Sequence, residues 1–324
     1  MKIILRFEAS HKVGLGHLYR CLALAKEIQK RGHDPILATK IYPETAEALM
    51  SCGYEVISLK PTGTLEEETN AIRDSNADAI VVDMLDTTQD YMKGLKDKCR
   101  FLLTIDNNGD GAKVADKVVN VLYNKIAGDN VINDFSYAML RPQFAELNQT
   151  ERGISPAVQQ VLVLQGGADT HGLMPKIINA LDGSDFQIIA ITGSASKTII
   201  EQKKGLKVFR NVENIEDFML NADMAISAAG MSLLELLCVG TPSIAVCAER
   251  FEEETAQKLE SLDATINLGF GGDVSEEEIR NAVESLASDF ERRKSMSLTG
   301  KNIVDGKGSE KTVNIIEEGL NSRR

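Results

Sequence analysis

The chain predicts an α/β protein of two domains, each a parallel sheet flanked by helices, on three observations. Short, apolar, β-rich runs alternate with stretches of helical periodicity from one end to the other. The runs at 79–83 and 101–106 are continuously apolar, as buried parallel strands are, and each ends in a carboxylate. Finally, 324 residues are long for one open sheet but comfortable for two domains of about 150 residues each.

The first half opens on Lys-Ile-Ile-Leu-Arg-Phe at 2–7, which fits a buried strand. Leu18, Cys21, Leu22, Ala25 and Ile28 then recur at helical spacing until Gly32 stops the helix. A strand at 35–39, a helix at 44–50, a strand at 55–59 and a helix at 65–75 follow; the acidic side of that last helix reads as a solvated face. Next come the strands ending in Asp83 and Asp106 and a third, 117–119, leading into Asn120. These polar ends lie on the same sheet edge as the loop before the first helix. Each has two readings at this level, a cap for the next helix or a group in a ligand site. The polar, Gly- and Pro-bearing segment 147–156 breaks the periodicity and reads as a linker, which sets the domains at 1–150 and 157–324.

The second half restarts with a strand at 159–164, then Gln165-Gly166-Gly167-Ala168-Asp169 and a helix at 173–181. A strand running into Gly-Gly ahead of a helix presents free backbone amides, a seat for phosphate. It is not a P-loop, because no Gly-Lys-Ser/Thr follows. His171, in the same loop, reads as an exposed residue. Strands follow at 187–191, with Gly193 after it, and around 208. A helix at 215–220 and a strand at 224–227 lead into Ala228-Ala229-Gly230. The helix at 232–239 is ended by Gly240 and Thr241-Pro242, before a strand at 244–246. Its Glu235 stands among leucines, so the carboxylate needs a partner, either a pair of ligand hydroxyls or an Arg or Lys. Helices at 275–286 and 309–319 close the chain, with a turn at 305–308 before the last.

The organising stretch is Gly14-Leu15-Gly16-His17, between the first strand and the first helix. A histidine in the first helical turn, beyond the carboxyl end of a strand, stands where open α/β sheets bind ligands. The positive end of the helix dipole favours an uncharged imidazole, the form a general base requires. The plainer reading is a capping or partly buried polar residue. Gly14 and Gly16 let backbone pass close to a ligand. They do not form a dinucleotide fingerprint: its third glycine would fall at Tyr19, and the second strand ends in Lys40 where a ribose-binding carboxylate belongs. NAD is therefore not expected.

A net charge of −12 and a pI near 5.0 argue against nucleic-acid and anionic-membrane partners, which need a basic face. A small-molecule ligand is expected instead. No apolar run approaches the roughly 20 residues that span a bilayer, and no signal-peptide core precedes the first polar loop, so the expected location is cytoplasmic. Cys21, Cys52, Cys99, Cys238 and Cys247 are scattered and read as reduced thiols. No metal and no cofactor are expected, and the oligomeric state is not legible.

With these residues in view, the chain resembles the hydrolases that cleave UDP-2,4-diacetamido-2,4,6-trideoxy-β-L-altropyranose in pseudaminic acid biosynthesis, and the related spore-coat polysaccharide proteins. The carrying stretches are RFEASHKVGLGHLYRCLALA at 6–25, LQGGAD at 164–169, ISAAGMSLLELLCVGTP at 226–242 and VDGKG at 304–308. The resemblance implies two Rossmann-like domains with parallel sheets facing a cleft, of the glycosyltransferase-B (GT-B) type. It implies His17 as the catalytic base, with Glu8, Gly14, Gly16, Arg20, Asp83, Asp106 and Asn120 about the sugar. In the second domain it implies a nucleotide held by Gly166, Gly167, Asp169, Gly193, Ala229, Gly230, Ser232 and Glu235, the last on the ribose. The implied reaction is hydrolysis of a nucleotide-diphosphate amino sugar at the anomeric carbon, with Asp83, Asp106 or Glu8 orienting the imidazole or the sugar. Transfer to a hydroxyl acceptor and non-catalytic nucleotide-sugar binding are the competing readings. Two departures stand out: Glu8 replaces the family's usual Asp, and Glu249-Arg250-Phe251-Glu252-Glu253-Glu254 replaces an Asn-Gln pair.

Overall fold

The computed structural model describes residues 1–10, 15–73, 76–122, 126–167, 169, 171–193 and 196–322. The chain divides into two compact units, Met1–Arg141 with Lys307–Arg324, and Pro142–Gly306.

In the first unit, β1 (Lys2–Phe7), α1 (Gly16–Lys30), β2 (Asp34–Lys40), α2 (Pro43–Ser51) and β3 (Glu55–Leu59) build outward in one direction. After α3 (Leu65–Arg73), the chain returns to pair β4 (Ala79–Asp83) with β1. It then builds the other way through α4 (Gln89–Lys96), β5 (Phe101–Ile105), β6 (Lys117–Asn120) and β7 (Val131–Asn133). The all-parallel order is β3-β2-β1-β4-β5-β6-β7, so the topological switch point lies between β1 and β4. Ile4, Ile36, Ile80, Val82 and Leu102 on the strands pack with Met92 and Leu95 of α4. Burying each such side chain contributes about 1.5–3 kcal/mol.

The second unit starts with α5 (Gln143–Gln149), followed by β8 (Gln160–Leu164), α6 (Leu173–Ala180), β9 (Gln187–Thr192), β10 (Leu206–Arg210) and α7 (Ile215–Asn221). It continues with β11 (Met224–Ser227), α8 (Met231–Cys238), β12 (Ser243–Cys247), α9 (Glu252–Ser261), β13 (Ile266–Phe270), α10 (Glu276–Ser288) and α11 (Phe290–Ile303). Its parallel order is β10-β9-β8-β11-β12-β13, which puts the switch point between β8 and β11. Val161, Val163, Ile226 and Ile244 meet Ile177 of α6 and Ile279 of α10 in its core.

The boundaries differ from the expected 1–150 and 157–324. Residues 147–149 are no linker: they end α5, whose buried Asn148 donates through Nδ2 to the carbonyls of Cys238, Lys301 and Val304 at 3.0–3.1 Å. The last helix, α12 (Gly308–Asn321), belongs to the first unit. There Arg31 and His33 bond its Glu317, and Arg100 donates to the Leu320 carbonyl. An amphipathic pattern gives a helix its apolar face but does not name the sheet that covers it.

Gly308 makes that return possible. A Cβ on it would stand 2.2 Å from the Ala138 carbonyl oxygen, and backbone cannot give way cheaply. Gly308→Ala is expected to cost about 1–3 kcal/mol through overpacking. A lower melting temperature with earlier proteolysis at α12 would register it; an unchanged melt would refute the close packing.

Several elements escaped the periodicity. In α11 the buried face carries Arg293, Ser297 and Gly300 beside a single apolar side chain, Met296, with the Arg293 guanidinium donating to the Leu286, Ser155 and Pro156 carbonyls, so there is too little apolar stripe to be read. β13 is half-buried throughout, and α9 opens on three glutamates. The acidic helix α3 is not simply a solvated face either, because its Glu68 is 3% exposed and ion-paired. No described helix is long and apolar enough to cross a membrane. The five cysteines are free thiols.

Candidate functional site

The switch point of the first sheet carries a dense polar cluster. Register pairs Phe7 with Asp83, so the carboxylate ending β4 stands beside the end of β1, from which the chain leads to α1. His17 and Arg20, three residues apart near the start of α1, share a helix face and both reach Asp83. His17 Nδ1 lies 2.7 Å from Asp83 Oδ1, Arg20 Nε donates to Oδ2 at 2.8 Å, and Arg20 Nη2 closes a second contact to Oδ1. Cys21 Sγ adds a thiol contact to Oδ2 at 3.6 Å. Arg20 Nη1 also pairs with Asp106 Oδ2, while Asp106 Oδ1 accepts the Val121 and Leu122 amides at 2.6 and 3.0 Å. His17 is 8% exposed, Arg20 3%, and both aspartates are fully buried.

Burial alone would raise the Asp83 carboxyl, but Arg20 and His17 outweigh it and hold the group well below the usual carboxylate range. Burial likewise opposes the Arg20 charge, and the two aspartates more than compensate. The same desolvation pushes the Cys21 thiol well up, so it stays a neutral S–H. Arg20 Nη2, a donor, lies 3.3 Å from His17 Nδ1, but the 2.7 Å contact to an ionised Asp83, which can only accept, is the shorter and puts the His17 proton on Nδ1. In the neutral ring that leaves Nε2 with a free lone pair, the arrangement of a base held in one tautomer. Thr88 caps α4, and Gly109 stands at the N-cap of the 3₁₀ turn that follows β5, so helix capping does not account for Asp83 or Asp106.

The other expected residues of this unit fall elsewhere. Glu8 does not touch the imidazole. Its Oε1 accepts from Arg6 Nη2 and Lys40 Nζ, both at 3.0 Å, and these contacts, working against burial, lower its carboxyl. Glu68 completes that network at 2.8 Å from Arg6 and 3.1 Å from Lys40, and Arg6 Nε donates to the Tyr91 hydroxyl at 2.9 Å. Burial pushes that phenol up to about 12. Sequence reasoning passed over Arg6, although a charge inside an otherwise apolar strand was the available signal. Asn120 is buried and donates to Asn133 Oδ1 at 2.9 Å. Gly16 begins α1 with open space at its Cβ position, and Gly14 lies outside the described residues.

In the second unit, the loops at the switch point adjoin through backbone: the Ala228 amide donates to Leu164 O at 3.1 Å. Cβ atoms added at Gly166 or Gly167 would meet open space. At Gly193 one would lie 2.3 Å from Gly167 O, so only glycine lets the loop after β9 pack against that pair. Asp169 caps α6, accepting from the Leu173 amide at 2.8 Å and the Thr198 hydroxyl at 2.7 Å. Gly230 is the N-cap of α8 and offers no side-chain cap. Ala229 is buried there, and Ser232 and Glu235 are half-buried. Gln165, 1% exposed, donates through Nε2 to Val246 O at 3.4 Å, and its buried Oε1 has no hydrogen-bond partner among the described residues, directly before the glycine pair.

The acidic run at 249–254 has a local cause. Glu252 Oε2 accepts the Ala248 amide at 2.7 Å and the Glu249 amide at 3.3 Å, and the Ala229 amide also bonds this carboxylate. Glu253 Oε1 accepts the Phe270 amide at 3.2 Å, and Glu249 meets the exposed His171 at 3.1 Å. Among the described residues, no group of three or more His, Cys, Asp or Glu is placed to hold a metal ion.

Residues 154–308 match the glycosyltransferase family 28 C-terminal domain. The chain is 24% identical to the spore coat polysaccharide biosynthesis protein SpsG of Bacillus subtilis, over 96% of both chains. It is 23% identical to the UDP-2,4-diacetamido-2,4,6-trideoxy-beta-L-altropyranose hydrolase of Campylobacter jejuni, over 79% of this chain and 95% of that one. In fold it superposes on MurG of Acinetobacter baumannii with a TM-score of 0.70, at 13% identity, over 98% of this chain and 100% of the other.

Proposed function

Since the chain belongs with the spore coat polysaccharide protein and the altropyranose hydrolase in one GT-B-like family, we propose that it hydrolyses a UDP-linked amino sugar at the anomeric carbon. The observation that carries this reading is the 2.7 Å contact between His17 Nδ1 and Asp83 Oδ1 at a sheet switch point. With Nδ1–H spent on Asp83, Nε2 takes a proton from water as its oxygen attacks the anomeric carbon. The C–O bond to phosphate breaks, and its electron pair leaves with the nucleoside diphosphate. Arg20 and Asp106 act as positioning residues for Asp83, and Glu8 and Asn120 serve the sugar through the polar networks they belong to.

The second unit takes the nucleotide. Amides at Gly166, Gly167 and Gly230 receive the diphosphate, where stabilising charge on the leaving group matters more than protonating it. Glu235, with Ser232, holds the ribose hydroxyls, and Gly193, Asp169 and Ala229 keep these loops in place. Gln165 Oε1 supplies an acceptor for a ligand donor.

A transferase reading is favoured by the family 28 match over residues 154–308. There a sugar or lipid hydroxyl replaces water at the same base. Incubation with UDP-, GDP- and CMP-sugars in water alone separates the two. Free sugar in stoichiometry with nucleoside diphosphate supports hydrolysis; nucleotide release only when a hydroxyl acceptor is added supports transfer. Intact sugars throughout, with and without acceptors, would overturn both.

A further inference from the structure

The carboxylate of Glu252 sits at the mouth of the helix that the proposed reading gives to the diphosphate, on which this inference rests. Three backbone amides converge on it, those of Ala229 after β11 and of Ala248 and Glu249 after β12. A Cβ on Gly230, the N-cap of α8, would stand 3.6 Å from Glu252 Oε1. Burial raises the Glu252 carboxyl and the three amides work against that rise, so the ionised group places a negative charge where a phosphate would be drawn by backbone N–H groups. Glu253 and Glu249 do not duplicate it, being directed to the Phe270 amide and to His171.

We propose that Glu252 sets the charge preference of this site, weakening the hold on a released nucleoside diphosphate more than on the intact nucleotide-sugar. Breaking the anomeric C–O bond leaves the electron pair on a phosphate oxygen, so the product carries more negative charge than the substrate. A fixed carboxylate beside that oxygen opposes the product more strongly. The consequence is faster product release, and it holds whether water or a hydroxyl is the nucleophile.

The test compares the full-length wild type with Glu252→Gln and Glu252→Ala by calorimetric titration with UDP, uridine and UDP-N-acetylglucosamine. The glutamine keeps an oxygen for the amides and removes the charge; the alanine removes both, and either variant that folds suffices. UDP binding is expected to tighten about 5–150-fold, the span of ordinary site couplings. UDP-N-acetylglucosamine should tighten less, and uridine should not change. The UDP effect should shrink as ionic strength rises. Equal or weaker UDP binding by a folded variant would overturn the assignment, as would uridine tightening in parallel. A wild type that binds neither UDP nor uridine would instead bring down the nucleotide reading itself.

Discussion

Replacing His17 with asparagine is expected to lower turnover by about 10²–10⁴-fold, the range general-base catalysis contributes, while leaving UDP affinity unchanged. Asparagine can keep a polar contact to Asp83 but offers no basic nitrogen to water or to an acceptor hydroxyl. The binding half of the prediction follows from the chain's division: His17 lies in the first unit, and the glycine amides assigned to the diphosphate lie in the second. Steady-state release of nucleoside diphosphate, measured beside calorimetric UDP titration, checks both halves. Turnover within a few fold of wild type would remove His17 from the chemistry.

Asp83→Asn is expected to damage stability and activity together. The substitution leaves Arg20 buried beside a neutral amide, and breaking one partner of a buried pair costs about 3–5 kcal/mol. Asp106 still engages Arg20 and moderates that loss. The new amide can also donate to His17 Nδ1, which favours the wrong tautomer and lowers turnover in whatever fraction remains folded. The pH dependence has a definite sign. Asp83 titrates well below its unfolded value of about 3.9, so its stabilisation is complete above that value and drains away as pH falls toward the lower, folded one. Wild type should lose stability on acidification below about pH 4, and Asp83→Asn should lack this component. Chemical denaturation at neutral pH and at pH 3 decides it; parallel losses in the two proteins would show that Asp83 is not the group responsible.

Much of the site was legible because strand ends and helix starts are written locally. A continuous apolar run ending in Asp83, and a glycine pair followed by a histidine and then apolar residues at helical spacing, each signal their element without help from distant residues. What could not be read was which polar end meets which. Asp83, Asp106 and Asn120 look alike in the chain, yet Asp83 meets His17, Asp106 meets Arg20, and Asn120 turns to Asn133. The partners of Glu8 and Glu68 were hidden for a related reason: Arg6 and Lys40 lie on separate strands, and one of them is a charge inside a strand that reads as core. The acidic run at 249–254 looked like a departure from a binding motif, and Glu252 and Glu253 instead accept backbone amides.

The sequence by itself determined the α/β class, the two sheets, nearly every strand, and the placing of His17 at a helix start beyond a strand. All of these rest on periodicity and on interactions within a few residues. Tertiary structure alone decided the strand order, and with it the switch points that bring β4 beside β1 and β11 beside β8. It also decided that α12 packs on the first unit and that Arg20 locks the orientation of Asp83. The physical reason is common to these cases: pairing between groups 60 or more residues apart leaves no periodic trace in the chain, because each group's own neighbours are indifferent to the partner it finds.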